Sequence, residues 1–396
     1  METSKSDVAD VIVIGAGLAG TAAASVLGQQ GRRVVLVDPW LECPPLFKAE
    51  KIDQQQVRLL ESLGLLKHLI PHAGRVREVR VGYDGHVIRT VPIEQYGLSY
   101  SEMVNALRRH LPSSVDLRQA RVEEIANSSD VQRVRLSTGE ELKSRLVVLA
   151  SGSSSHLNTQ LGLRRQVIQR DQSLVFGFNV APPDRQLFDF DSVTYYSLDP
   201  SARIDYLTLF RFRRVMRANL FVFRSERDPW GREFIQDPEG MLRRYLPDVT
   251  RVTGDFRVVS KVESGRVDLY RVESKPQSGI VLIGDACQSV CPSTGVGLDK
   301  VLTDVSVLAE CVPSWLSSPG IDSKKLAEFY EHPRKLAVDS QAMRSALHHR
   351  RTVVDGRMRW RIHRFLLHLR WKIYTVLEAL RRANKKVALR GASACV

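Results

Sequence analysis

The chain has no apolar run long enough to cross a membrane. Val11–Ile14 and Leu146–Ala150 stop after four and five residues, where a spanning helix needs ~18. The N-terminus, Met-Glu-Thr-Ser-Lys-Ser-Asp, has neither the basic start nor the apolar core of a secretory leader. Cysteine is scarce: Cys43, Cys287, Cys291, Cys311 and Cys395 form an odd, scattered set without a Cys-x-x-Cys pair. That excludes a disulfide or zinc framework and points to a reducing compartment, so a cytosolic protein is expected. There is no internal repeat and no low-complexity tract. The 396 residues are 43% hydrophobic and 26% charged, values that exclude wholesale disorder and suffice for two packed domains.

Acidic residues are scarce in one place only. Of 58 basic and 44 acidic residues, fourteen and two fall from Gln341 onward, which leaves +2 on the first 340 residues and puts +12 on the tail. A nearly neutral body with a basic tail does not imply nucleic-acid binding by the whole chain; it implies a role particular to the tail.

Near the N-terminus the order is strand, glycine turn, helix, strand. Val11–Ile14 is a buried-strand run, Gly15-Ala16-Gly17-Leu18-Ala19-Gly20 follows at once, and Thr21–Gln29 is Ala-rich and helical, with Gly31 as its C-cap. Val34–Val37 is a second strand that closes on Asp38. A Gly-x-Gly-x-x-Gly match alone is weak, but this setting makes it a dinucleotide site. Gly15 allows the tight turn, Gly17 lets the backbone approach a pyrophosphate, and Gly20 lets helix and strand pack. The helix N-terminus offers free N–H groups to phosphate, and Asp38 can accept a ribose diol.

Further on, helices are expected at Gln54–Leu66 and Ser101–Leu111. Strands are expected at Val76–Arg80, His86–Val91, Val115–Ile125, Val131–Ser137 and Leu146–Ala150. From about Gln166 to Glu273 the pattern alternates as in a sheet and concentrates aromatics, among them Phe176, Phe178, Phe188, Phe190, Phe210, Phe212, Phe221 and Phe223. Core packing and a sheet covering a ligand would look the same.

Two more motifs follow. Leu146–Ala150 ends in Ser151-Gly152. Gly279-Ile280-Val281-Leu282-Ile283-Gly284-Asp285-Ala286 leads to Pro292-Ser293-Thr294-Gly295-Val296-Gly297-Leu298 and a helical run, Val301–Cys311. The second is again a strand with an acid at its carboxyl end, then a glycine loop opening a helix. Asp285 is placed to bond a polyol, and the Gly297 and Leu298 amides to hold an electronegative ring edge.

Together Gly15–Gly20, Asp38, Gly284-Asp285 and the Pro-x-x-Gly-x-Gly loop resemble the FAD-dependent aromatic hydroxylases, the single-component flavoprotein monooxygenases, from about residue 9 to about residue 345. Beyond the resemblance, residues 346–396 read from charge and periodicity as a basic helical C-terminal extension. The resemblance implies an α/β chain in which residues 1–165 and 274–345 would form a discontinuous Rossmann-like FAD domain, and residues 166–273 a mixed β-sheet substrate domain lying as a lid over the flavin. It further implies FAD held by Gly15–Gly20, by Asp38 at the adenosine ribose, by Asp285 near the pyrophosphate and ribityl chain, and by Gly295, Gly297 and Leu298 at the flavin pyrimidine edge. Lys48 stands where the family often has an arginine, Val122 lies on the strand that meets the adenine, and Gly152 belongs to the turn after Leu146–Ala150.

Three positions depart from the family pattern. Its Asp-Gly pair is here Ser151-Gly152, its Asn after the glycine loop is Asp299, and an Arg that often opens the helix Ser101–Leu111 is Tyr100. A carboxylate at Asp299 would disfavour a reduced, anionic flavin unless paired, with Lys300 as the neighbouring candidate. There is no second complete glycine fingerprint for NAD(P)H, as the resemblance implies, since that cofactor visits only as a transient reductant.

The resemblance implies reduction by NAD(P)H, capture of O2 and hydroxylation or epoxidation of a hydrophobic, aromatic or polyene substrate against a dry wall. Tyr195, Tyr196, Tyr206, Phe210 and Phe221 are candidates for that wall. No catalytic residue and no metal site stand out. Arg211, Arg213 and Arg214 read as a solvated sheet face, His86 as structural, and Cys287 and Cys291 as loop packing. A flavin-dependent halogenase shares the fold, but its Trp-x-Trp-x-Ile-Pro signature is absent. A polyprenyl double-bond reductase and a non-catalytic lipid or prenyl carrier remain as alternatives.

From Gly356 to Arg382 the sequence forms a helix with two apolar stripes. Met358, Ile362, Phe365, Leu369, Ile373, Val376 and Leu380 share one face, and Trp360, Leu367, Trp371 and Tyr374 the nearly opposite one. Arg357, Arg359, Arg361, Arg364, Arg370, Lys372, Arg381 and Arg382 lie between them. The first stripe is expected to dock on the body. The aromatic one is expected to meet an anionic membrane surface or an acidic carrier protein, unless both are packed by the chain or form a dimer contact.

Overall fold

The computed structural model describes residues 8–154, 156–184, 187–212, 215–273 and 277–393. Arg213, Arg214 and Cys395 lie outside the described residues, as do the side chains of Arg381 and Arg382. The chain divides into two units. One takes the residues up to Ala73, Leu98–Arg170 and Val267–Ala346; the other takes Gly74–Gly97, Asp171–Arg266 and the residues from Leu347.

In the first unit the run Val11–Ile14 is the buried end of the strand Val8–Ile14. Val34–Asp38 lies parallel beside it, and beyond that Val115–Gln119. On its other edge runs Glu141–Leu149, also parallel. The far side of Glu141–Leu149 is shared: its first half pairs antiparallel with Gln132–Leu136 and its second half parallel with Ile280–Leu282. Strands buried on both faces read as unbroken Val/Ile/Leu runs, and Val11, Ile12, Val13, Leu146, Val147 and Val148 are all fully buried. The Ala-rich helix Leu18–Gln29 packs against Tyr100–Arg108 and Gly297–Ser317. The last is longer at both ends than the sequence reading of Val301–Cys311. The helix expected at Gln54–Leu66 is instead Gln54–Ser62, opened by an Asp53–Gln56 capping box, followed by the short Leu66–Leu69.

The second unit is a mixed sheet in the order Arg257–Val258, Arg164–Ala181, Val215–Val222, Ile204–Phe212, Ser192–Tyr196, Gly74–Tyr83, His86–Ser99. All neighbours are antiparallel except Ser192–Tyr196, which runs parallel to Gly74–Tyr83. That pairing carries residues 74–97 out of the first domain, where the sequence reading had them. A contact between residues more than 100 positions apart leaves no local trace. Phe176 and Phe178 of one sheet face pack on Trp230 and Phe234 of the covering helices, and Phe188 and Phe190 join the same core.

The C-terminal helix Met358–Ser393 belongs to this second unit, where a separate extension was expected. Trp371 lies 4.7 Å, ring to ring, from Tyr83 and 5.2 Å from Tyr196. His368 meets the Tyr83 hydroxyl, and Lys372 pairs with Asp84. The two stripes are therefore used the other way round from the expectation. Trp360, Leu367 and Trp371 turn inward and are half-buried, while Tyr374 of that stripe stays exposed, as do Met358, Ile362, Phe365, Leu369, Ile373, Val376 and Leu380. Two broad rings bury more area against a sheet than aliphatic side chains do.

Candidate functional site

Register brings the motifs of the first unit together. Ile14 pairs with Val37 on one side and Leu149 on the other, and Leu149 pairs with Leu282. Four parallel strands thus end at one level, and the residues that follow are Gly15, Asp38, Ala150 and Ile283-Gly284-Asp285. Crossing backbone bonds seal the row: Gly15 donates to the Val37 carbonyl at 2.8 Å, Ala150 to Ile14 at 2.8 Å and Ile283 to Leu149 at 3.1 Å. Ligands of open α/β sheets bind at such carboxyl ends.

The glycines of this row are not equivalent. Gly15 has φ +96°, and a Cβ there would lie 2.6 Å from the Ala150 carbonyl oxygen; one on Gly20 would lie 1.8 Å from the Gly15 oxygen. Both are required by the chain itself. A Cβ on Gly17 would meet only the Tyr100 hydroxyl, at 3.0 Å, and one on Gly297 would meet nothing within 4 Å. Gly152 and Gly295 have left-handed backbone but open space around them. Around Gly17 and Gly297 the fold leaves room that packing does not explain, at the two loops a dinucleotide's phosphates and ring would approach.

Asp38 accepts the Ala16 amide at 2.7 Å and the Trp40 amide at 2.9 Å. Arg108, a residue the sequence reading missed, donates to the carbonyls of Ala16, Trp40 and Leu41 and stands 3.8 Å from the Asp38 carboxylate. It thereby ties the glycine loop to the loop after Asp38. Val122 opens the strand Val122–Ala126, two residues beyond Ala120, whose amide donates to the Asp38 carbonyl at 3.0 Å. Tyr100 takes the Leu18 amide at 3.0 Å, and Lys48 sits 5.6 Å from the Tyr100 ring centre. Burial pushes the Tyr100 phenol up to about 12, with Cys43, Glu50 and Asp285 adding to the rise. Glu50 is raised to about 7, by burial first, with Lys48 opposing and Asp285 adding. Asp285 has an exposed surface, yet the protein packed around it raises its carboxyl by desolvation, against the pull of Lys48 and Lys300. Lys48, Glu50, Tyr100 and Asp285 thus share one electrostatic neighbourhood beside the helix N-terminus at Leu18.

Behind Gly284-Asp285 lies a buried charge network that sequence spacing did not disclose. Asp304 accepts the Gly284 amide at 2.8 Å, Lys300 at 3.0 Å and Lys335 at 2.8 Å. Asp339 closes the set, 3.3 Å from Lys300 and 3.0 Å from Lys335. Burial raises the Asp304 carboxyl, but the two ammonium groups outweigh it and hold it low. Lys300 is therefore engaged here and does not pair with Asp299, contrary to expectation. Asp299 is buried; one oxygen takes the Gln56 amide at 2.8 Å and the other has no partner. Gln56 also donates to the Gly295 carbonyl at 3.0 Å, pinning the glycine loop. Leu298 is buried in the helix that this loop opens. Cys287 and Cys291 form no disulfide among the described residues, and Cys291 lies 3.4 Å from the Ser293 hydroxyl. Among the described residues no cluster of His, Cys, Asp and Glu could hold a metal ion.

In the second unit, one sheet face is the Phe176–Phe234 core and the other is chemically mixed. Tyr196, Tyr206 and Phe221 run across it with ring centres 5.5 and 4.7 Å apart, and Trp371 extends the row from Tyr196. Phe210 is buried on the same face, where a Cβ on Gly97 would come within 2.9 Å of its ring. Beside them Arg217 is buried and donates to Asn219 at 3.1 Å; burial lowers its guanidinium to about 10. Arg211 does not lie on a solvated face as expected. It reaches the carbonyls of Phe188 and Phe190 and stands 3.7 Å from Asp191.

A parallel sheet whose aligned strand ends carry a glycine fingerprint, an acid closing the second strand and a further Gly-Asp strand has the layout of a dinucleotide-binding fold. Residues 8–345 match the FAD binding domain family, and the chain belongs to it. It is 26% identical over 360 residues to 3-amino-4-hydroxybenzoate 2-monooxygenase of Streptomyces cremeus, covering 85% of this chain and 86% of that one. To the ubiquinone hydroxylase UbiL of Rhodospirillum rubrum it is 25% identical over 332 residues, 78% of this chain and 73% of that one. Among solved structures it resembles p-nitrophenol 4-monooxygenase PnpA of Pseudomonas putida. The TM-score is 0.74 at 20% identity, covering 96% and 98% of the two chains, a likeness of fold. The protein is an FAD-dependent oxidoreductase of the aromatic-hydroxylase type, a monooxygenase.

Proposed function

We propose that the enzyme hydroxylates or epoxidises a hydrophobic, aromatic or polyene substrate, consuming NAD(P)H, a proton and O2 and releasing NAD(P)+ and water. The observation that carries the FAD site is the row of strand ends with room at Gly17 and Gly297 that the chain's own packing leaves unused. The residues there suit FAD. The Gly17–Leu18 helix end and Lys48 would meet the pyrophosphate, Asp38 a ribose diol, Asp285 the ribityl hydroxyls, and the amides at Gly297 and Leu298 the electronegative pyrimidine edge. Bound FAD supplies the electron transfer and oxygen chemistry.

The chain's own part is to hold and exclude. Gln56 fixes the Gly295 carbonyl and Arg108 fixes the Ala16 carbonyl, so the chain's own hydrogen bonds hold both glycine loops. The Asp304 network fixes the amide of Gly284, and with it the start of the loop that carries Asp285. Tyr196, Tyr206, Phe210 and Phe221 would provide an apolar wall against which an aromatic or polyene substrate lies away from water. The ring-hydroxylating relatives support an aromatic substrate. No described helix is long and apolar enough to cross a membrane, and we read the enzyme as cytoplasmic and peripheral at a membrane.

The deciding experiment follows NAD(P)H and oxygen together. The purified protein should be yellow, and a panel of phenols, quinols and polyenes should include compounds that accelerate both NAD(P)H oxidation and oxygen uptake. Substrate reduction without oxygen uptake would instead establish the double-bond reductase. A colourless protein unable to take up FAD would leave only a carrier.

A further inference from the structure

We propose that the outward face of the C-terminal helix binds an anionic lipid surface and holds the enzyme in the membrane interface. This deepens the peripheral location proposed above and names the surface responsible.

Its docked side fixes which side points out. Trp371 lies against Tyr83 and Tyr196, and Lys372 pairs with Asp84. Arg364 donates to the Thr352 and Asp355 carbonyls where the chain turns into the helix. With that side committed, the opposite one cannot fold inward.

That opposite side is apolar. Ile362, Phe365, Leu366, Leu369, Ile373 and Val376 are 47–64% exposed, and the stripe runs on from Met358 to Leu380. At ~1.5 Å per residue it is roughly 30 Å long. A continuous exposed apolar strip of this size on a soluble protein marks an interaction surface.

The charges say what covers it. At ~100° per residue the stripe is flanked on one edge by Arg359 and Arg370 and on the other by Arg361, all three exposed, while Lys372 on that second edge is paired with Asp84. The helix contains one acid, Glu378, and it is half-buried on the docked side. A second copy laid on the stripe would bring cationic edges against cationic edges with no carboxylate between them. An anionic bilayer surface offers acyl chains to the stripe and lipid phosphates to both edges at once, the arrangement of a helix lying in the interface plane. The basic residues downstream, Lys385, Lys386 and Arg390 among them, add attraction of the same sign. Since no described helix can span a bilayer, the attachment is reversible.

The test is flotation of the full-length, FAD-loaded protein with phosphatidylcholine vesicles, with and without phosphatidylglycerol. Binding is expected to the anionic vesicles at low salt, to weaken as salt is raised, and to be slight on pure phosphatidylcholine. Phe365→Glu/Leu369→Glu should lower the vesicle partition coefficient by roughly tenfold or more while keeping the flavin absorbance. Arg359→Gln/Arg361→Gln/Arg370→Gln should lower it mainly on anionic vesicles. Trp371→Ala, on the docked side, should leave the apolar contribution in place. Absence of binding at low salt, or a Phe365→Glu/Leu369→Glu variant that binds like the parent, overturns the proposal. So does a dimer that this variant turns into a monomer without any vesicle binding by the parent. Because the readout is partition and not turnover, its failure would leave the oxygen-uptake test of the enzyme's activity untouched.

Discussion

The Tyr100 hydroxyl accepts the Leu18 amide at 3.0 Å, so the first helical N–H of the glycine loop already has a partner, and that partner still has a proton to give. A phenol held neutral to about 12 can donate to a phosphate oxygen while accepting from the loop. Tyr100→Phe should leave the protein folded and weaken FAD binding by about 1.5–3 kcal/mol, the usual value of a hydrogen bond to a charged group. Isothermal titration of the apoprotein measures this. Tighter binding in the variant would mean that the phenol competes with FAD for the Leu18 amide.

The glycines separate folding from binding. Gly20→Ala should destabilise the protein severely, because its Cβ would overlap the Gly15 oxygen. Gly17→Val and Gly297→Ala should yield folded protein with little or no yellow colour, since only Tyr100 crowds the former and nothing crowds the latter. Thermal unfolding of the apo forms, set beside flavin content, distinguishes the classes.

FAD affinity should depend on pH through Glu50. Its carboxyl titrates near 7 in the folded protein, from an ordinary value of 4.5. Rising pH adds a negative charge beside Lys48 and Asp285, where the anionic cofactor is expected. The FAD dissociation constant should rise across that range, by at most ~tenfold per pH unit for one coupled proton, and Glu50→Gln should flatten the curve. The apoprotein has the same sign. A raised carboxyl binds its proton more tightly when folded, so stability falls as pH climbs from about 4.5 to 7.

Lys335→Met should cost ~3–5 kcal/mol, because it leaves the buried Asp304 and the half-buried Asp339 with one ammonium between them. Chemical denaturation measures the loss. Asp304→Asn/Lys335→Met, which removes one charge of each sign, should recover part of it.

His349 lies 2.9 Å from Asp205 in the second unit. Burial lowers its imidazole, but the Asp205 hydrogen bond and charge outweigh that and raise it above 6.5. Its contribution to stability is complete below 6.5 and is lost as pH rises through the raised value. His349→Gln should remove that part of the pH dependence of unfolding.

The first unit was largely legible because its signals are local. A Val/Ile run, a glycine at a fixed offset and an acid closing the next strand lie within thirty residues, and hydrophobic runs and turn chemistry obey short-range sterics. Asp285 and Gly295–Leu298 were readable for the same reason. Arg108, Gln56 and the Asp304–Lys335–Asp339 set were not, because each bonds to residues far along the chain and a single Arg, Gln or Lys carries no periodic mark. Asp299 was conspicuous, yet its partner is Gln56, 243 positions away, and not the adjacent Lys300.

By itself the sequence determined a strand–glycine turn–helix dinucleotide motif, an aromatic sheet and a cationic, two-striped helix, since local spacing, composition and periodicity specify those, and the resemblance of its motifs to a known family implied FAD. Only the tertiary structure decided which stripe faces outward and which sheet receives residues 74–97. Both stripes of the helix are apolar enough to bury, and the alternation in residues 74–97 does not say which strand they pair with. The choice falls to Tyr83, Tyr196 and Ser192–Tyr196, whose position beside their partners exists only once distant segments have met.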